Sequence, residues 1–279
     1  MILKKILLQR KKILIFGKNS FIGSNLYSYL KYKHNVVIKN YNIDELNRLN
    51  SYDCIINCST NKNYIKKKYS KKNDIDLEIF NKIKNTNILF IFLSSRKVYK
   101  DKANISENSK IECLNSYEKN KFITENKILK IRSKNSVILR ISNLIGFKKR
   151  NPNRVHFTYV DYFLDKIKKK QIISNKKEFK DFLDISTFSK IIDQIIKKKI
   201  YGIYNVSIGK KIYLKDINNW LLFYFKNKKF LKNIDLPKKD NTTSFYLNNS
   251  KIKKKIRIKI EITQLKKECF KLSKKLFCR

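Results

Sequence analysis

The chain has 279 residues, of which 42% are hydrophobic, and this suffices for one large domain or for a nucleotide-binding domain with a small cap. Such a content excludes an intrinsically disordered chain in spite of the high charge. The formal net charge is +44, from 66 Lys and Arg against 22 Asp and Glu, but the cations are spread along the whole chain. Biased residue usage explains this spread better than a nucleic-acid-binding surface does, so we expect no nucleic-acid partner.

The N-terminal stretch MILKKILLQRKK has apolar pieces interrupted by Lys4 and Lys5, so it predicts neither a signal peptide nor a transmembrane segment. The five cysteines form no CxxC pair and only two His accompany them, which argues against a metal site. We expect Cys54 and Cys58 to be buried small hydrophobes. This cysteine usage fits a reducing, cytoplasmic location.

The first half of the chain alternates short apolar runs with longer amphipathic segments. The runs predicted as buried strands are 12–17, 35–39, 53–58, 88–95 and 136–142. The segments predicted as helices are 21–33, 74–86 and 115–133. Strands rich in Ile, Val and Phe that alternate with helices indicate a parallel sheet in an α/β domain.

The pattern changes after residues 143–154. Helical segments are predicted at 156–169, 186–198 and 215–226, with a strand at 203–208. We therefore expect a main domain over 1–150 and, over 151–279, mainly a small cap with segments that return to the main domain. The tail 263–277 carries Leu265, Cys269, Leu272 and Leu276 at helical spacing, which favours a packed terminal helix over a membrane-surface helix.

Glycine is scarce in this chain, which has only 5 of them, so each is expected where a side chain would obstruct something. Gly17 and Gly23 bracket GKNSFIG, directly after the first predicted strand and before the first predicted helix. A parallel α/β fold binds a dinucleotide pyrophosphate at such a turn, because the helix N-terminus favours the phosphates. The position makes this a candidate dinucleotide site, against the alternative of an ordinary strand-to-helix turn.

The stretch ILIFGKNSFIGSNL (13–26) resembles the opening of the extended short-chain dehydrogenases/reductases, a group of sugar-nucleotide epimerases, dehydratases and reductases. Their usual loop is G-x-x-G-x-x-G, and here Ser20 stands at the middle Gly, which narrows the room beside the pyrophosphate. The resemblance implies a Rossmann-type doubly wound parallel sheet with a small C-terminal substrate-binding cap. It also implies that NAD or NADP binds at the loop. The loop residues concerned are Gly17, Lys18, Ser20, Phe21, Ile22 and Gly23.

Three later segments continue the resemblance in the family's order. FLSSRKVYK (92–100) places Ser95 at the family's Ser or Thr, SYEKNK (116–121) gives its Tyr-x-x-x-Lys at Tyr117 and Lys121, and LRISNLIG (139–146) gives its Arg-x-x-Asn with Asn143. A Tyr-x-x-x-Lys alone is common in so Lys-rich a chain, but the ordered set is specific.

The chemistry of hydride transfer at a secondary alcohol explains why these residue types are needed. A proton must move at the oxygen, and Tyr, with an ordinary pKa of about 10, is a poor base at neutral pH. A neighbouring ammonium and an oxidised nicotinamide favour the phenolate. The resemblance therefore makes Tyr117 the acid/base, Lys121 its tuner and ribose holder, and Ser95 the orienting hydroxyl, with Ser94 as the rival for that last role.

Cofactor preference and substrate contacts are predicted from single positions. Lys39 and Asn40, at the end of the second strand, stand where NAD enzymes usually have an acid, and Lys39 with Lys18 favours NADP over NAD by a small margin. The resemblance places Asn42, or Asp44, at the adenine. In FKDFLDIST (179–187), Lys180 stands where the family often has an Arg for the substrate's phosphates, and it keeps the charge without the bidentate fork.

The resemblance covers roughly residues 12–277 and is greatest to dTDP-4-dehydrorhamnose reductase-type members. These have the pattern YxxxKxxxE, which this chain matches with Glu125. Arg96 and Lys97 replace the acidic pair of the dehydratases and argue against that chemistry. The leading hypothesis is NAD(P)-dependent keto-sugar reduction or epimerisation of a nucleotide-activated sugar. The resemblance also implies a homodimer, since enzymes of this fold often dimerise. The alternatives are a non-catalytic dinucleotide-binding scaffold or regulator of the same fold and, from charge alone, a nucleic-acid binder.

Overall fold

The computed structural model describes residues 10–131, 135–147, 157–173, 177–234 and 244–278. Within these ranges the strands are β1 Lys12–Phe16, β2 Asn35–Lys39, β3 Cys54–Asn57, β4 Leu89–Ser95, β5 Ser136–Ile141, β6 Asn143–Ile145, β7 Gln171–Ile173, β8 Phe179–Lys180, β9 Phe182–Asp184, β10 Gly202–Val206, β11 Ile212–Tyr213 and β12 Lys232–Ile234. The helices are α1 Phe21–Leu30, α2 Lys62–Lys66, α3 Ile75–Ile83, α4 Ser116–Lys130, α5 Tyr159–Lys168, α6 Ile185–Lys198, α7 Leu214–Leu221, α8 Ser250–Lys255 and α9 Ile262–Phe277. Short 3-10 helices cover Ile43–Ser51, Lys71–Asn73, Arg96–Val98 and Lys228–Phe230.

A six-stranded sheet in the order β10-β5-β4-β3-β1-β2 forms the centre, and all of its neighbouring strands are parallel. From β1 the chain goes first to β2 on one side and then to β3 on the other. This reversal opens a crevice at the carboxyl ends of β1 and β3, which is where open parallel sheets bind ligands. The predicted doubly wound α/β fold is confirmed.

Both faces of the inner strands β1, β3, β4 and β5 are buried, which is why these strands are continuous apolar runs. Ile13 and Ile15 point into the larger core on one face, whereas Leu14 and Phe16 point into a second core on the other. All four side chains are fully buried. Alternate residues of one strand therefore serve two cores, as expected for a parallel sheet covered by helices on both sides.

The five strands predicted in the first half of the chain agree with β1 to β5 to within one residue at either end, whereas β10 ends two residues before its predicted end. The strand predicted at 203–208 is β10, which returns to the main sheet beside β5. Sequence periodicity missed α2 and α8, because helices of 5 and 6 residues are too short to show a period. Four parts of the chain lie outside the described residues: residues 1–9, the end of one predicted helix at 132–133, the predicted domain boundary at 150 and the start of another predicted helix at 156.

The segment after β5 builds three small strand pairs beside the main sheet. These are the parallel pairs β6–β9 and β7–β12 and the antiparallel pair β8–β11. Helix α9 packs its apolar side onto this region, with Leu265 and Cys269 fully buried and Leu272 nearly so. The prediction of a packed terminal helix is confirmed. In the described part of the chain, no helix is both long and apolar enough to cross a bilayer.

Helix α6 returns to the main domain and is fixed there by a buried polar contact. His34, just before β2, is 3% exposed, and its Nε2 lies 2.8 Å from Oδ1 of Asp193 on α6. The backbone N–H of Lys11 donates to Nδ1 of His34 over 3.3 Å, which assigns the ring hydrogen to Nε2. Lys33 and Lys197 also pair with the Asp193 carboxylate.

We expect this contact to make the fold sensitive to acid. Burial raises the pKa of Asp193, but hydrogen bonds from His34 and Lys197 outweigh it and hold that pKa at about 2. An unfolded Asp has a pKa of about 3.9, so the stabilisation is complete above that value and is lost as the pH falls towards 2. Chemical unfolding at a series of pH values should show a steeper loss of stability in the wild type than in Asp193→Asn over this window. Asp165→Asn, which removes an exposed carboxylate paired with Lys169, is the control and should follow the wild type.

Candidate functional site

The turn between β1 and α1 has the geometry of a phosphate-binding loop. Gly17 has φ of +99°, and a Cβ there would lie 2.7 Å from the carbonyl carbon of Cys58. A Cβ on Gly23 would lie 2.4 Å from the carbonyl oxygen of Gly17, so both positions require glycine. The predicted roles of these two glycines in the tight turn and the close packing fit this geometry.

Ser20, which replaces the family's middle glycine, caps the helix that follows. Its Oγ accepts a hydrogen bond from the backbone N–H of Gly23 over 2.8 Å, as an N-cap residue does. The side chain is therefore directed back onto α1, and the start of the helix still borders open space. This arrangement explains how the loop accommodates a side chain at that position.

A cavity of about 470 Å³ lies at the carboxyl edge of the sheet, between this turn and the start of α4. Among the described residues, those that line it are Gly17, Asn19, Ser20, Phe21, Ile22, Asn40, Asn57, Cys58, Ser59, Thr60, Leu93, Ser94, Ser95, Lys97, Tyr117, Lys121, Ile141, Ser142, Asn143, Leu144, Phe157, Thr158 and Tyr159. The structure thus brings eight of the predicted site residues to one cavity: Gly17, Ser20, Phe21, Ile22, Ser95, Tyr117, Lys121 and Asn143. A glycine turn at a helix N-terminus beside this space fits a dinucleotide.

The other five predicted site residues lie outside the described lining, and the side chains of three of them have local partners. Lys39 forms an ion pair with Glu45, with Nζ 2.7 Å from Oε2, and Asn42 accepts from the backbone N–H of Asp44 over 3.3 Å. Lys180 pairs with Glu178 over 3.2 Å. The remaining two are Lys18 and Gly23. Because Glu45 balances the charge of Lys39, the preference for NADP over NAD loses part of its basis.

The start of α4 is fixed by a capping box that places Tyr117 in the first turn. Asn115 Oδ1 accepts from the N–H of Glu118 over 3.1 Å, and Glu118 Oε2 accepts from the N–H of Asn115 over 3.3 Å. Tyr117 is half-buried and faces Ser95 at the end of β4. Burial raises the pKa of Tyr117, and the Lys121 ammonium and a hydrogen bond with Ser95 offset this only in part.

The two neighbouring serines at the end of β4 have different partners. The Ser94 hydroxyl donates a hydrogen bond to the Glu125 carboxylate. The same carboxylate accepts hydrogen bonds from Nε of Arg140 over 3.1 Å and from Nη2 of Arg140 over 2.6 Å. The Ser95 hydroxyl bonds the Tyr117 side chain and accepts from the N–H of Lys97 over 3.2 Å. These contacts favour Ser95 as the orienting hydroxyl and give Ser94 a place in a buried ionic network.

Lys121 is buried one turn beyond Tyr117, and its ammonium has a carboxylate partner. The residue is 5% exposed, and its Nζ lies 3.2 Å from Oδ2 of Asp76 on α3. Oδ1 of the same carboxylate accepts from Asn57 Nδ2 over 2.8 Å. Burial lowers the pKa of Lys121, but Asp76 and Tyr117 outweigh it and raise that pKa above its ordinary value.

Sequence reasoning missed Asp76, although one signal points to it. On a helix, Asp76 shares a face with Phe80 and Ile83, and both of these are fully buried. A carboxylate on the apolar face of a helix requires a buried partner.

The conformation of Gly17 supports a prediction about ligand binding. Gly17→Ala adds a Cβ against the Cys58 backbone at positive φ, so we expect a loss of roughly 1–3 kcal/mol in stability and a dinucleotide affinity at least about tenfold weaker. Gly202→Ala is the matched control, since φ there is +106° but the Cβ would meet only the Tyr204 ring at 3.8 Å. The control should lose stability and keep its affinity, as measured by unfolding and by nicotinamide fluorescence. Equal affinities in the two variants would contradict a binding role for the turn.

Solved structures with the same fold extend over nearly the whole chain. A UDP-N-acetylglucosamine 4-epimerase from Methanobrevibacter ruminantium, in complex with UDP-N-acetylmuramic acid, superposes with a TM-score of 0.77 at 18% identity, covering 95% of this chain and 98% of its own. A UDP-glucose 4-epimerase from Thermotoga maritima with UDP-glucose gives 0.73 at 15%, with 95% and 99% covered. The structure of RMD from Pseudomonas aeruginosa with NADPH gives 0.71 at 15%, with 96% and 98% covered. At such identities the agreement shows the Rossmann-like fold.

A sequence search of curated proteins gives no significant match. The profile of the NAD dependent epimerase/dehydratase family matches residues 13–207, from β1 through the return strand β10 and the residue after it. That span includes the glycine turn, Ser95, Tyr117 and Lys121. The chain therefore belongs to the NAD dependent epimerase/dehydratase family.

Proposed function

We propose that the protein is an enzyme that moves hydride between a nicotinamide dinucleotide and a nucleotide-activated sugar, in keto-sugar reduction or in epimerisation. One observation carries the proposal: a single cavity is lined by the Gly17 turn and by Ser95, Tyr117 and Lys121. Each of these groups has a required role in the chemistry, and the fold brings them together from three separate segments.

The dinucleotide, when bound, supplies or accepts the hydride. Its pyrophosphate fits the turn between Gly17 and Gly23, where α1 begins. Lys121 borders the same cavity and offers N–H donors to the ribose hydroxyls. The structures of this fold that contain NAD or NADPH support either dinucleotide as the cofactor.

The polar part of the chemistry belongs to the side chains of this protein. Ser95 donates a hydrogen bond to the oxygen of the reacting carbon and holds that oxygen near the Tyr117 hydroxyl. Tyr117 gives a proton to that oxygen when a carbonyl is reduced and removes a proton from it when an alcohol is oxidised. Lys121 stabilises the phenolate that remains after the proton has left.

The lining also suits a substrate with phosphates. Among its described residues it contains no carboxylate and two cations, Lys97 and Lys121, of which Lys121 is paired with Asp76 behind the lining. Thr158 and Tyr159, at the start of α5, belong to the predicted cap and line the cavity, as does Asn143 of the predicted main domain. Several proteins of this fold are described as epimerases of UDP-sugars, which supports a sugar nucleotide as the substrate class.

Turnover assays with defined substrates test the proposal. The protein is incubated with a nucleotide-linked 4-keto sugar and NADPH or NADH, and the reduced nicotinamide is followed by absorbance. Parallel incubations with UDP-sugars and catalytic amounts of NAD are analysed for epimers. Consumption of reduced nicotinamide or formation of an epimer supports the proposal, whereas neither reaction from a folded protein that binds dinucleotide favours the non-catalytic scaffold.

A further inference from the structure

A buried ion pair lies one helical turn from the proposed acid/base residue Tyr117. Asp76 and Lys121 are 4% and 5% exposed, and their charged atoms are 3.2 Å apart. Asn57 donates to the second oxygen of Asp76, so each carboxylate oxygen has a partner. The Lys121 ammonium also lies over the Phe92 ring, 4.6 Å from its centroid. Burial raises the pKa of Asp76, and Lys121 and Asn57 oppose this rise. While Asp76 is ionised, the charge of Lys121 is balanced before any ligand binds.

This balance changes what Lys121 does to Tyr117. An isolated ammonium one helical turn away favours the phenolate, but an ammonium paired with a carboxylate does so less. Both partners are nearly inaccessible to water, so solvent screens neither of them well. The described groups that interact with Tyr117 include Lys121 and Glu118 from α4, Ser95 from the end of β4, Asp76 from α3 and Tyr64 from α2, and Lys97 lines the same cavity. Lys121 favours the phenolate of Tyr117, whereas Asp76 and Glu118 both oppose it.

We propose that Asp76 is a positioning residue that keeps Tyr117 protonated by neutralising Lys121. In the resting site Tyr117 is thereby ready to donate a proton when a carbonyl is reduced. The direction of reaction rests on the proposed function, whereas the protonation of Tyr117 does not. In the reductive step, hydride from the reduced nicotinamide forms a C–H bond at the carbonyl carbon. The electron pair of the C=O bond moves to oxygen, which takes the Tyr117 proton. The products are an alcohol, an oxidised nicotinamide and a phenolate, which regains its proton from solvent.

Asp76→Asn tests the proposal because it removes the charge and keeps the shape. Cofactor-free protein with tyrosine labelled at ¹³Cζ is titrated by NMR, and the Tyr117 signal is assigned by its absence from Tyr117→Phe. We expect the midpoint of Tyr117 in Asp76→Asn to lie about one pH unit or more below that of the wild type. Asp76→Glu, which retains the charge, should restore a high midpoint. An equal or higher midpoint in Asp76→Asn would overturn the proposal.

Asp74→Asn is the matched control, because Asp74 is a buried carboxylate at the cap of the same helix. It accepts from Thr124 Oγ1 over 2.6 Å and from the Tyr69 hydroxyl over 2.9 Å. Its removal should shift the midpoint of Tyr117 by clearly less than removal of Asp76, and an equal shift would contradict a specific role for the pair. If Asp76→Asn fails to fold, the wild type still tests the proposal, since a Tyr117 midpoint below the value of about 10 for free tyrosine would overturn it.

A second measurement addresses the reaction direction. While Tyr117 remains a phenol, the rate of keto-sugar reduction should be independent of pH, and the rate of alcohol oxidation should rise about tenfold per pH unit. Oxidation that is already independent of pH near neutrality would overturn the assignment of direction. Absence of turnover with every substrate would remove the proposed function, and the NMR titration would still decide the effect of Asp76 on Tyr117.

Discussion

Replacement of Tyr117 by Phe is expected to lower the turnover number by about 10²–10⁴-fold while dinucleotide affinity is unchanged. The hydroxyl is the group that exchanges a proton with the reacting oxygen, and a positioned acid/base contributes a factor of this size. The ring remains in place against the cavity, so the binding surface loses one oxygen atom. Steady-state kinetics and nicotinamide fluorescence measure the two quantities separately.

Tyr41→Phe provides the control for this variant. Tyr41 is also half-buried, and its hydroxyl donates to Glu78 over 2.6 Å, but it is not among the described residues that line the cavity. It loses the same atom and one hydrogen bond, and its turnover should match the wild type. A Tyr117→Phe enzyme that retains wild-type turnover would remove Tyr117 from the mechanism.

Replacement of Arg140 by Met is expected to destabilise the protein by about 3–5 kcal/mol. The Glu125 side chain is 0% exposed, and Arg140 is its ion-pair partner within the described residues, so the variant leaves a buried carboxylate without a counterion. Arg140 also donates to the Tyr99 hydroxyl over 2.8 Å. Total stabilities of about 5–15 kcal/mol are usual, so the loss should be evident in the midpoint of urea unfolding.

A double variant separates the ion pair from simple loss of packing. Arg140→Met with Glu125→Leu removes both charges and should recover much of the stability lost in the single variant. Arg48→Met, at an exposed arginine, makes the same chemical change without a buried partner and should be close to neutral. Equal stability of the single and double variants would show that the pairing does not hold this region together.

The main sheet was predictable because its inner strands β1, β3, β4 and β5 are buried on both faces. The runs around Ile13, Ile55, Phe90 and Ile138 are continuous apolar segments bounded by polar ones, and this pattern has few alternatives. The region after β5 was less predictable because β8 and β11 have only two residues each and are fixed by long-range contacts. Local sequence carries little information about such pairs.

The site was predictable where chemistry fixes a spacing along the chain. Tyr117 and Lys121 are separated by one turn of a helix, and Gly17 and Gly23 bound one loop. Each pair can therefore be recognised from its spacing in a single sequence. Contacts between distant segments carry no such spacing. The ion pairs of Lys121 with Asp76 and of Lys39 with Glu45 emerged only from the fold, and the first of them changes the expected state of Tyr117. The predicted effect of Lys121 had the correct sign, but burial outweighs it.

Titration of the purified protein with NADPH and with NADH, followed by nicotinamide fluorescence, tests most directly whether the Gly17 turn and the Tyr117–Lys121 pair frame one dinucleotide site. We predict saturable binding of at least one of the two dinucleotides by the wild type and by Tyr117→Phe, with similar affinities. A folded wild-type protein that binds neither dinucleotide would contradict an oxidoreductase role for this chain.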